Sequence, residues 1–227
     1  MKNFYKLILM AALSLGAAPF VTSCSDDDGY SLDKFWLEFG TIEKTSDQDY
    51  KIILDKGPIL FPSVSNVPVR YLENKMRVYA DFTILQDANP GSSVDHYVKV
   101  NDLQKLLTKP IVPYTEAISD SLGMDPVELP EYWIANDFIT FRFFYAGGGE
   151  THMVNLTKHK ELIEDGKALL EFRHNAYGDP VKESMNSYVS FPLKEIFSEV
   201  TDSIQLHIKY KGFDKEKSID ITYRPRK

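Results

Sequence analysis

Apolar and polar side chains alternate along many short segments of the chain, which is the pattern of half-buried β-strands. The clearest case is the segment 77–85, whose apolar face consists of Val78, Ala80, Phe82 and Ile84. Clusters of Gly, Pro, Asn and Asp separate these segments, and such clusters favour turns. The pattern therefore predicts an all-β protein.

The first half of the chain contains five such segments in about 75 residues, which is typical of a small barrel of the OB type. The segments are 35–43, 50–54, 59–61, 77–85 and about 97–107. We expect the third strand to end at Pro62, because proline cannot donate a hydrogen bond to a neighbouring strand. The predicted barrel domain covers residues 35–108.

Residues 109–130 differ in character and contain four prolines: Pro110, Pro113, Pro126 and Pro130. Between them, residues 115–122 favour a short helix with Thr115 as its N-cap and Gly123 at its end. We predict that this segment connects two domains.

The remaining residues, 131–227, contain six alternating segments with short turns, which indicates an antiparallel β-sandwich. The segments are 139–145, 152–156, 168–174, 188–193, 203–210 and 219–224. Three consecutive glycines, Gly147 to Gly149, lie in the first of the turns and predict a flexible hairpin tip.

The N-terminus has the features of a secretory signal, with Lys2 and Lys6 followed by the apolar run 7–18. This run is shorter than the ~20 residues that span a bilayer. Residues 21–24, Val-Thr-Ser-Cys, resemble a bacterial lipobox. The resemblance implies cleavage after residue 23 and a diacylglycerol on the sulfur of Cys24. A soluble secreted protein with a free thiol is the alternative.

An acidic cluster, Asp26, Asp27 and Asp28, follows within the segment 24–34. Like charges repel and extend a linker, so this segment is expected to be a solvated tether. The cluster also resembles the export signal of surface lipoproteins of Bacteroidota. We therefore expect a lipid anchor in the outer membrane with the domains on the cell surface; a periplasm-facing orientation is the alternative.

Composition limits the choice of partners. Removal of residues 1–23 leaves 204 residues (227 − 23) with a charge of 24 − 33 = −9, because the removed part carries two lysines and no acids. A nucleic-acid-binding protein would carry a basic face, so we exclude that class. Cys24 is the sole cysteine, so no disulfide can form within the chain.

Candidate catalytic groups are sparse. The five histidines (His96, His152, His159, His174 and His207) show no metal-binding spacing. We interpret His174 as a hydrogen-bonded residue at the core edge and His207 as solvated. Trp36 and Trp133 could stack on a ligand, but the core is their more frequent place. We predict no enzyme activity, cofactor or metal, and no ligand-binding residue can be named.

Several longer stretches resemble the NigD-like lipoproteins of Bacteroidales. They are FWLEFGTIEK and YKIILDKGPILFPS in the first half, and ITFRFFYAGGGETHMVNL, LEFRHNAYGD and YVSFPL in the second. The resemblance implies an N-terminal OB-like domain and a C-terminal β-sandwich. It also implies a link to bacteriocin immunity, and it carries over no catalytic residue.

These observations together predict a non-catalytic, surface-anchored lipoprotein with an accessory or recognition role. Its partners would be the membrane, through Cys24, and either other envelope proteins or extracellular ligands. Bacteriocin immunity is one form of this role. Capture of glycans or nutrients in a polysaccharide-uptake system is the alternative.

Overall fold

The computed structural model describes residues 30–162 and 166–226, without the side chain of residue 162. Within these ranges the protein has thirteen strands, one α-helix and a 3₁₀ turn at Val69–Tyr71. The strands of the first half are β1 (Trp36–Lys44), β2 (Tyr50–Leu54), β3 (Ile59–Ser65), β4 (Arg77–Asp87) and β5 (His96–Lys105). Those that follow are β6 (Val112–Pro113), β7 (Glu128–Ala135), β8 (Phe138–Gly147), β9 (Met153–Leu162), β10 (Ala168–Asn175), β11 (Glu183–Pro192), β12 (Ile204–Lys211) and β13 (Glu216–Tyr223). Helix α1 spans Glu116–Leu122.

Strands β1 to β5 form a closed barrel in the order β1-β2-β3-β5-β4. The inward side chains include Ile42, Ile52, Leu60, Val78 and Val98, all with no exposed surface. Alternation places these residues on one face of each strand, so closing the sheet buries all of them together.

The prediction that the third strand ends at Pro62 is wrong. Strand β3 continues to Ser65, and its pairing with β5 shifts register between Pro62 and Val64. A proline is tolerated at such an irregularity because the ladder needs no donor there.

The second half is a sandwich of two sheets, with strand orders β13-β12-β10-β9-β6 and β11-β8-β7. Between the sheets, Phe141 meets the ring of Phe172 edge-on at a centroid distance of 5.2 Å and that of Phe191 at 6.2 Å. The all-β prediction of a small barrel followed by a sandwich is confirmed. Two of the sandwich pairings, β6–β9 and β10–β12, are parallel, which alternation alone does not reveal.

The segment 109–130, expected to connect the domains, is built into the sandwich. Its strand β6 pairs with β9, and β7 begins before the segment ends. Helix α1 lies between them, with Thr115 at its N-cap and Gly123 after it at φ 72°. A Cβ at Gly123 would lie 2.6 Å from the carbonyl oxygen of His174, so this end of the helix requires glycine. None of the helices in the described ranges is long and apolar enough to cross a membrane.

Candidate functional site between the barrel and the sandwich

A buried ion pair of the barrel lies where the barrel meets the sandwich, and hydrogen bonds around it join the two domains. Arg77 begins β4, and its side chain has no exposed surface; Asp55 follows β2, and its side chain is 7% exposed. Nη1 and Nη2 of Arg77 donate to Oδ1 and Oδ2 of Asp55 at 2.5 and 2.6 Å. This two-bond geometry matches the planar guanidinium to the planar carboxylate, which makes it a strong form of ion pair.

The other donors of Arg77 reach both domains. Nη1 also donates to Thr41 of the barrel at 3.0 Å. Nη2 donates to Thr140 of β8 at 3.1 Å, and Nε donates to Ser190 of β11 at 3.4 Å. All five N–H groups of a guanidinium are therefore matched with acceptors.

The carboxylate of Asp55 is satisfied in the same way. Trp133 of β7 donates its indole N–H to Oδ2 at 2.7 Å, and Asn136 donates to Oδ1 at 3.3 Å. Together with the two bonds from Arg77, these fill the four acceptor sites of a carboxylate. The ion pair is thus a clamp between the domains, and we call these residues (Arg77, Asp55, Thr41, Thr140, Ser190, Trp133 and Asn136) the interdomain clamp.

Half-buried aromatic rings pack beside the clamp. Phe39 of β1 lies 4.8 Å from Tyr79, 5.1 Å from Trp133 and 4.9 Å from Tyr188, measured between ring centroids. Because Phe39 and Tyr79 come from the barrel and the other two rings from the sandwich, this contact adds apolar packing to the clamp.

A groove of about 620 Å³ opens beside the clamp, which is within the usual size range of ligand sites. Its floor includes the two-residue loop between β7 and β8, Asn136 and Asp137, with φ of 51° and 64°. Positive φ at both positions is the geometry of tight hairpin loops, for which Asn and Asp are suited.

The loop is tied to the end of the chain. Asp137 accepts hydrogen bonds from the hydroxyl of Tyr223 at 3.0 Å and from the backbone N–H of Arg226 at 2.8 Å. Burial, followed by the bond to Asp137, raises the pKa of the Tyr223 hydroxyl well above its ordinary value. The phenol therefore stays protonated and donates at any physiological pH.

The rim of the groove carries charges of both signs from both domains. The barrel supplies Glu43 and Lys75, and the sandwich supplies Lys194, Glu195 and Arg226, all exposed. Largely buried apolar side chains, among them Ile53 and Phe138, also line the groove. Such a mixture suits a polypeptide or another ligand with both charged and apolar groups.

A second cluster of titratable groups lies inside the sandwich. Nε2 of His152 is 3.1 Å from Oδ2 of Asp179, and Nδ1 of His152 is 2.9 Å from Nε2 of His174. The carboxylate can only accept, so Nε2 of His152 donates to it. Nδ1 of His174 makes no hydrogen bond of normal geometry among the described residues.

Burial, reinforced by the neighbouring His152, lowers the pKa of His174, and the nearby backbone of Asp125 and Pro126 only partly offsets this. The prediction that His174 is a hydrogen-bonded residue at the core edge agrees with its place, where it is 2% exposed.

The glycine turn does not behave as the flexible tip that the sequence predicts. The backbone N–H groups of Gly148, Gly149 and Glu150 all donate to Oδ2 of Asp179, at 2.5, 3.2 and 3.3 Å. These bonds lower the pKa of Asp179. A Cβ at Gly147 would lie 2.8 Å from the same oxygen, so glycine lets the turn close over an internal carboxylate.

The other singled-out residues have local roles. His207 pairs with Asp220 at 2.7 Å, and Trp36 stacks on Phe82 with centroids 6.2 Å apart. Within residues 30–162 and 166–226, no three His, Cys, Asp or Glu side chains are arranged to hold a metal ion. Cys24, Asp26, Asp27 and Asp28 lie outside the described residues.

Sequence reasoning missed the clamp and the groove. It placed Asp55 in a turn and Arg77 on the polar face of a strand, and it named no role for Asn136 and Asp137. The pair Asn-Asp between two apolar runs was the available signal, since it favours a tight hairpin and would have revealed β7.

Comparisons with known protein families agree with this architecture. The family model for the NigD-like N-terminal OB domain matches residues 39–106, and that for the NigD-like C-terminal β-sandwich domain matches residues 110–223. No curated protein matches the chain significantly.

Solved structures from related bacteria share the fold. A protein of Parabacteroides distasonis, provisionally described as toxin-related, is 28% identical with a TM-score of 0.70, over 84% of this chain and 94% of the other. A NigD-like immunity protein of Bacteroides caccae is 19% identical with a TM-score of 0.58, over 87% and 100%. A protein of Bacteroides fragilis, provisionally described as a lipoprotein, is 12% identical with a TM-score of 0.54, over 84% and 96%.

Replacing Arg77 with Met should destabilise the protein by about 3–5 kcal/mol, because it leaves the Asp55 carboxylate buried without its cation. The double variant Arg77→Met/Asp55→Leu should cost clearly less than the sum of the single changes. Urea unfolding of all variants measures both effects. Arg142→Met is the matched control: its pair with Glu131 is 30% and 53% exposed, so its loss should cost much less than that of Arg77. Equal losses for the two arginines would contradict the clamp.

Acidification should destabilise the protein through His174. Its pKa is lowered by folding, so below the unfolded value of about 6.5 the unfolded state binds the proton first. Stability is therefore fully present above that pH and falls as the pH drops, by at most about 1.4 kcal/mol per pH unit for one proton. Urea midpoints between pH 8 and 5 should fall less steeply in His174→Gln. Gln205→Ala, at an exposed position of the same sheet, removes no titratable group and should keep the wild-type slope; identical slopes in all three proteins would refute the assignment.

Proposed function

The chain belongs to the NigD-like family, and from this premise we propose that it is a non-catalytic, lipid-anchored envelope protein that recognises a partner through the groove between its two domains. The observation that carries the proposal is the clamp. Because Arg77 and Asp55 are buried with all their hydrogen bonds made, the groove walls from the barrel and the sandwich keep one spacing. A preformed groove binds without the cost of ordering its walls.

The arrangement of the histidines supports a binding role over a catalytic one. In an acid–base site, the Asp–His pair would activate a group in a cleft. Here the side chains of His152 and Asp179 are 4% and 2% exposed, and the carboxylate is occupied by the glycine turn. The cluster therefore stabilises the turn.

A polypeptide toxin is the partner class that we favour. The relatives described as an immunity protein and as toxin-related are consistent with this role. The charged and apolar rim of the groove also suits a peptide. Glycan capture, the alternative, is less well supported because both tryptophans are engaged internally, Trp36 with Phe82 and Trp133 with Asp55.

We place the protein in the outer membrane, held by lipid on Cys24 and exposed on the cell surface. The lipobox at 21–24 and the acidic cluster at 26–28 support this placement, as does the relative provisionally described as a lipoprotein. Two or three acyl chains on one cysteine would hold far more firmly than a single chain, whose binding is marginal.

Replacing Cys24 with Ala should move the protein from the membrane to the soluble fraction, because no acyl chain can then be attached. Cell fractionation and mass spectrometry of the native product measure this, and Ser25→Ala is the control that should stay in the membrane. Membrane retention of Cys24→Ala would contradict the anchor.

A second set of variants tests whether the acidic cluster directs the protein to the cell surface. Changing Asp26, Asp27 and Asp28 to Asn should leave the protein in the membrane but protect it from protease added to intact cells. Asp202→Asn, at an exposed site on the sandwich, is the control and should remain protease-sensitive. If the triple variant is still cleaved, the aspartates act only as a tether.

The groove is tested by charge reversal at its rim. If the gene lies beside one for an antibacterial peptide, its deletion should sensitise cells to that peptide, and the wild-type gene should restore protection. Lys75→Glu/Lys194→Glu should restore at least about tenfold less protection, since unfavourable charge at an interface weakens recognition. Lys209→Glu, on another exposed face, should restore it fully. Unchanged sensitivity after deletion would dispose of the immunity role.

A further inference from the structure

The outer face of β1 is covered at one end and bare at the other. Alternation places Leu37 and Phe39 on the same side of the strand, and Phe35 immediately before it continues the series. Phe39 is packed among Tyr79, Trp133 and Tyr188 at the interdomain contact. The aromatic rings that cover Phe39 do not extend to the start of the strand, where Leu37 is 46% exposed and Phe35 is 63% exposed.

Leu32, just before this strand, is 76% exposed. Leu32, Phe35 and Leu37 therefore present three large apolar side chains to solvent within six residues, and we call them the N-terminal apolar face. Single exposed apolar residues are ordinary, but three within one short segment indicate a surface that is covered in use. Trp36 does not belong to it, because its ring stacks on Phe82.

The position of the apolar face along the chain indicates what covers it. Leu32 is eight residue steps from Cys24 (32 − 24). A fully extended chain spans at most about 3.5 Å per residue, so Leu32 lies within roughly 28 Å of the cysteine. If Cys24 carries lipid, the bilayer surface is the one large apolar phase that is always within reach.

We propose that the N-terminal apolar face rests on the bilayer that holds Cys24, with the side chains of Leu32, Phe35 and Leu37 inserted between the lipid headgroups. The proposal builds on the lipid anchor proposed above and adds a second, non-covalent attachment beside it. Interfacial insertion of this kind grows with the apolar area that is buried.

The charges of the chain favour an apolar attachment over an electrostatic one, and the exposed Asp33 and Lys34 within the segment carry opposite charges. The chain without residues 1–23 carries a charge of 24 − 33 = −9, which opposes binding to anionic lipid. Glu38, next to Leu37, is neutralised by Lys56 at 2.8 Å. Binding should therefore occur on uncharged lipid and depend little on salt.

This attachment would orient the recognition groove. Thr41, Ile42 and Glu43 line the groove and lie further along the same strand. The six residue steps from Leu37 to Glu43 (43 − 37) span up to about 20 Å at the usual rise of a strand. A barrel standing on its N-terminal apolar face would hold the groove away from the lipid, where an extracellular partner can reach it.

The test uses the exported protein carrying Cys24→Ala, so that its outcome does not depend on lipidation. Its binding to uncharged phosphatidylcholine vesicles is measured by co-sedimentation. Leu32→Ser/Phe35→Ser/Leu37→Ser should reduce the partition coefficient by about tenfold or more. The matched control is Val181→Ser/Phe213→Ser, which removes side chains that are 76% and 50% exposed on the sandwich and should leave binding unchanged.

A local reporter gives a second readout. Cys24 is the sole cysteine, so Phe35→Cys or Phe213→Cys in the Cys24→Ala protein offers one site for a polarity-sensitive dye. Vesicles should shift the emission of the dye at residue 35 to the blue and leave that at residue 213 unchanged. A shift at residue 35 would stand even if fractionation showed that Cys24 carries no lipid, which separates this proposal from the anchor.

Three results would overturn the proposal. They are absence of vesicle binding by the Cys24→Ala protein, equal loss of binding in the apolar-face variant and its control, and equal dye shifts at both sites. Analytical ultracentrifugation without lipid tests the alternative that a second copy of the chain covers this face. A dimer that the apolar-face variant abolishes would also overturn the proposal and would assign this face to a second copy.

Discussion

One buried ion pair, Arg77 with Asp55, determines how the two domains of this protein meet. Removing two charges from water costs several kcal/mol each, and their attraction offsets this only when the remaining hydrogen bonds are made. Here Thr41, Thr140, Ser190, Trp133 and Asn136 make them. Because these groups come from both domains, sliding one domain against the other would leave buried charges without partners. These hydrogen bonds therefore also fix the width of the groove beside the clamp.

A second buried carboxylate, that of Asp179, lies inside the sandwich and is satisfied mainly by backbone N–H groups. A turn of three glycines exposes backbone N–H groups, which often cradle the phosphate of a ligand. In this protein the turn closes on Asp179, and His152 and His174 complete the arrangement. The N–H groups of this turn therefore bind a carboxylate of the protein itself and not a ligand. The exposed, charged rim of the groove and the uncovered end of β1 stay accessible to partners.

Much of the fold could be predicted from the sequence, because strand alternation is a local property. The segments around Val78, Phe141 and Leu170 were found where the structure has them. Strands β6 and β7 were missed, since prolines and polar residues interrupt their pattern. The candidate site could not be predicted, because the hydrogen bond between Arg77 and Ser190 joins residues 113 positions apart. The sequence pattern of a strand is also the same whether its polar residues face water or another domain.

Local patterns were enough to predict the strand-rich character, the order of barrel and sandwich and the chemistry expected at Cys24, because these depend on neighbouring residues. The packing of distant segments sets which polar residues are buried together, which glycine amides face a carboxylate and which end of β1 stays bare. Burial depends on which surfaces meet, and a local pattern does not contain that information. Asp55 and Phe39 owe their contact with Trp133 to the packing of two domains, whereas Leu37, on the same strand face as Phe39, has no such cover.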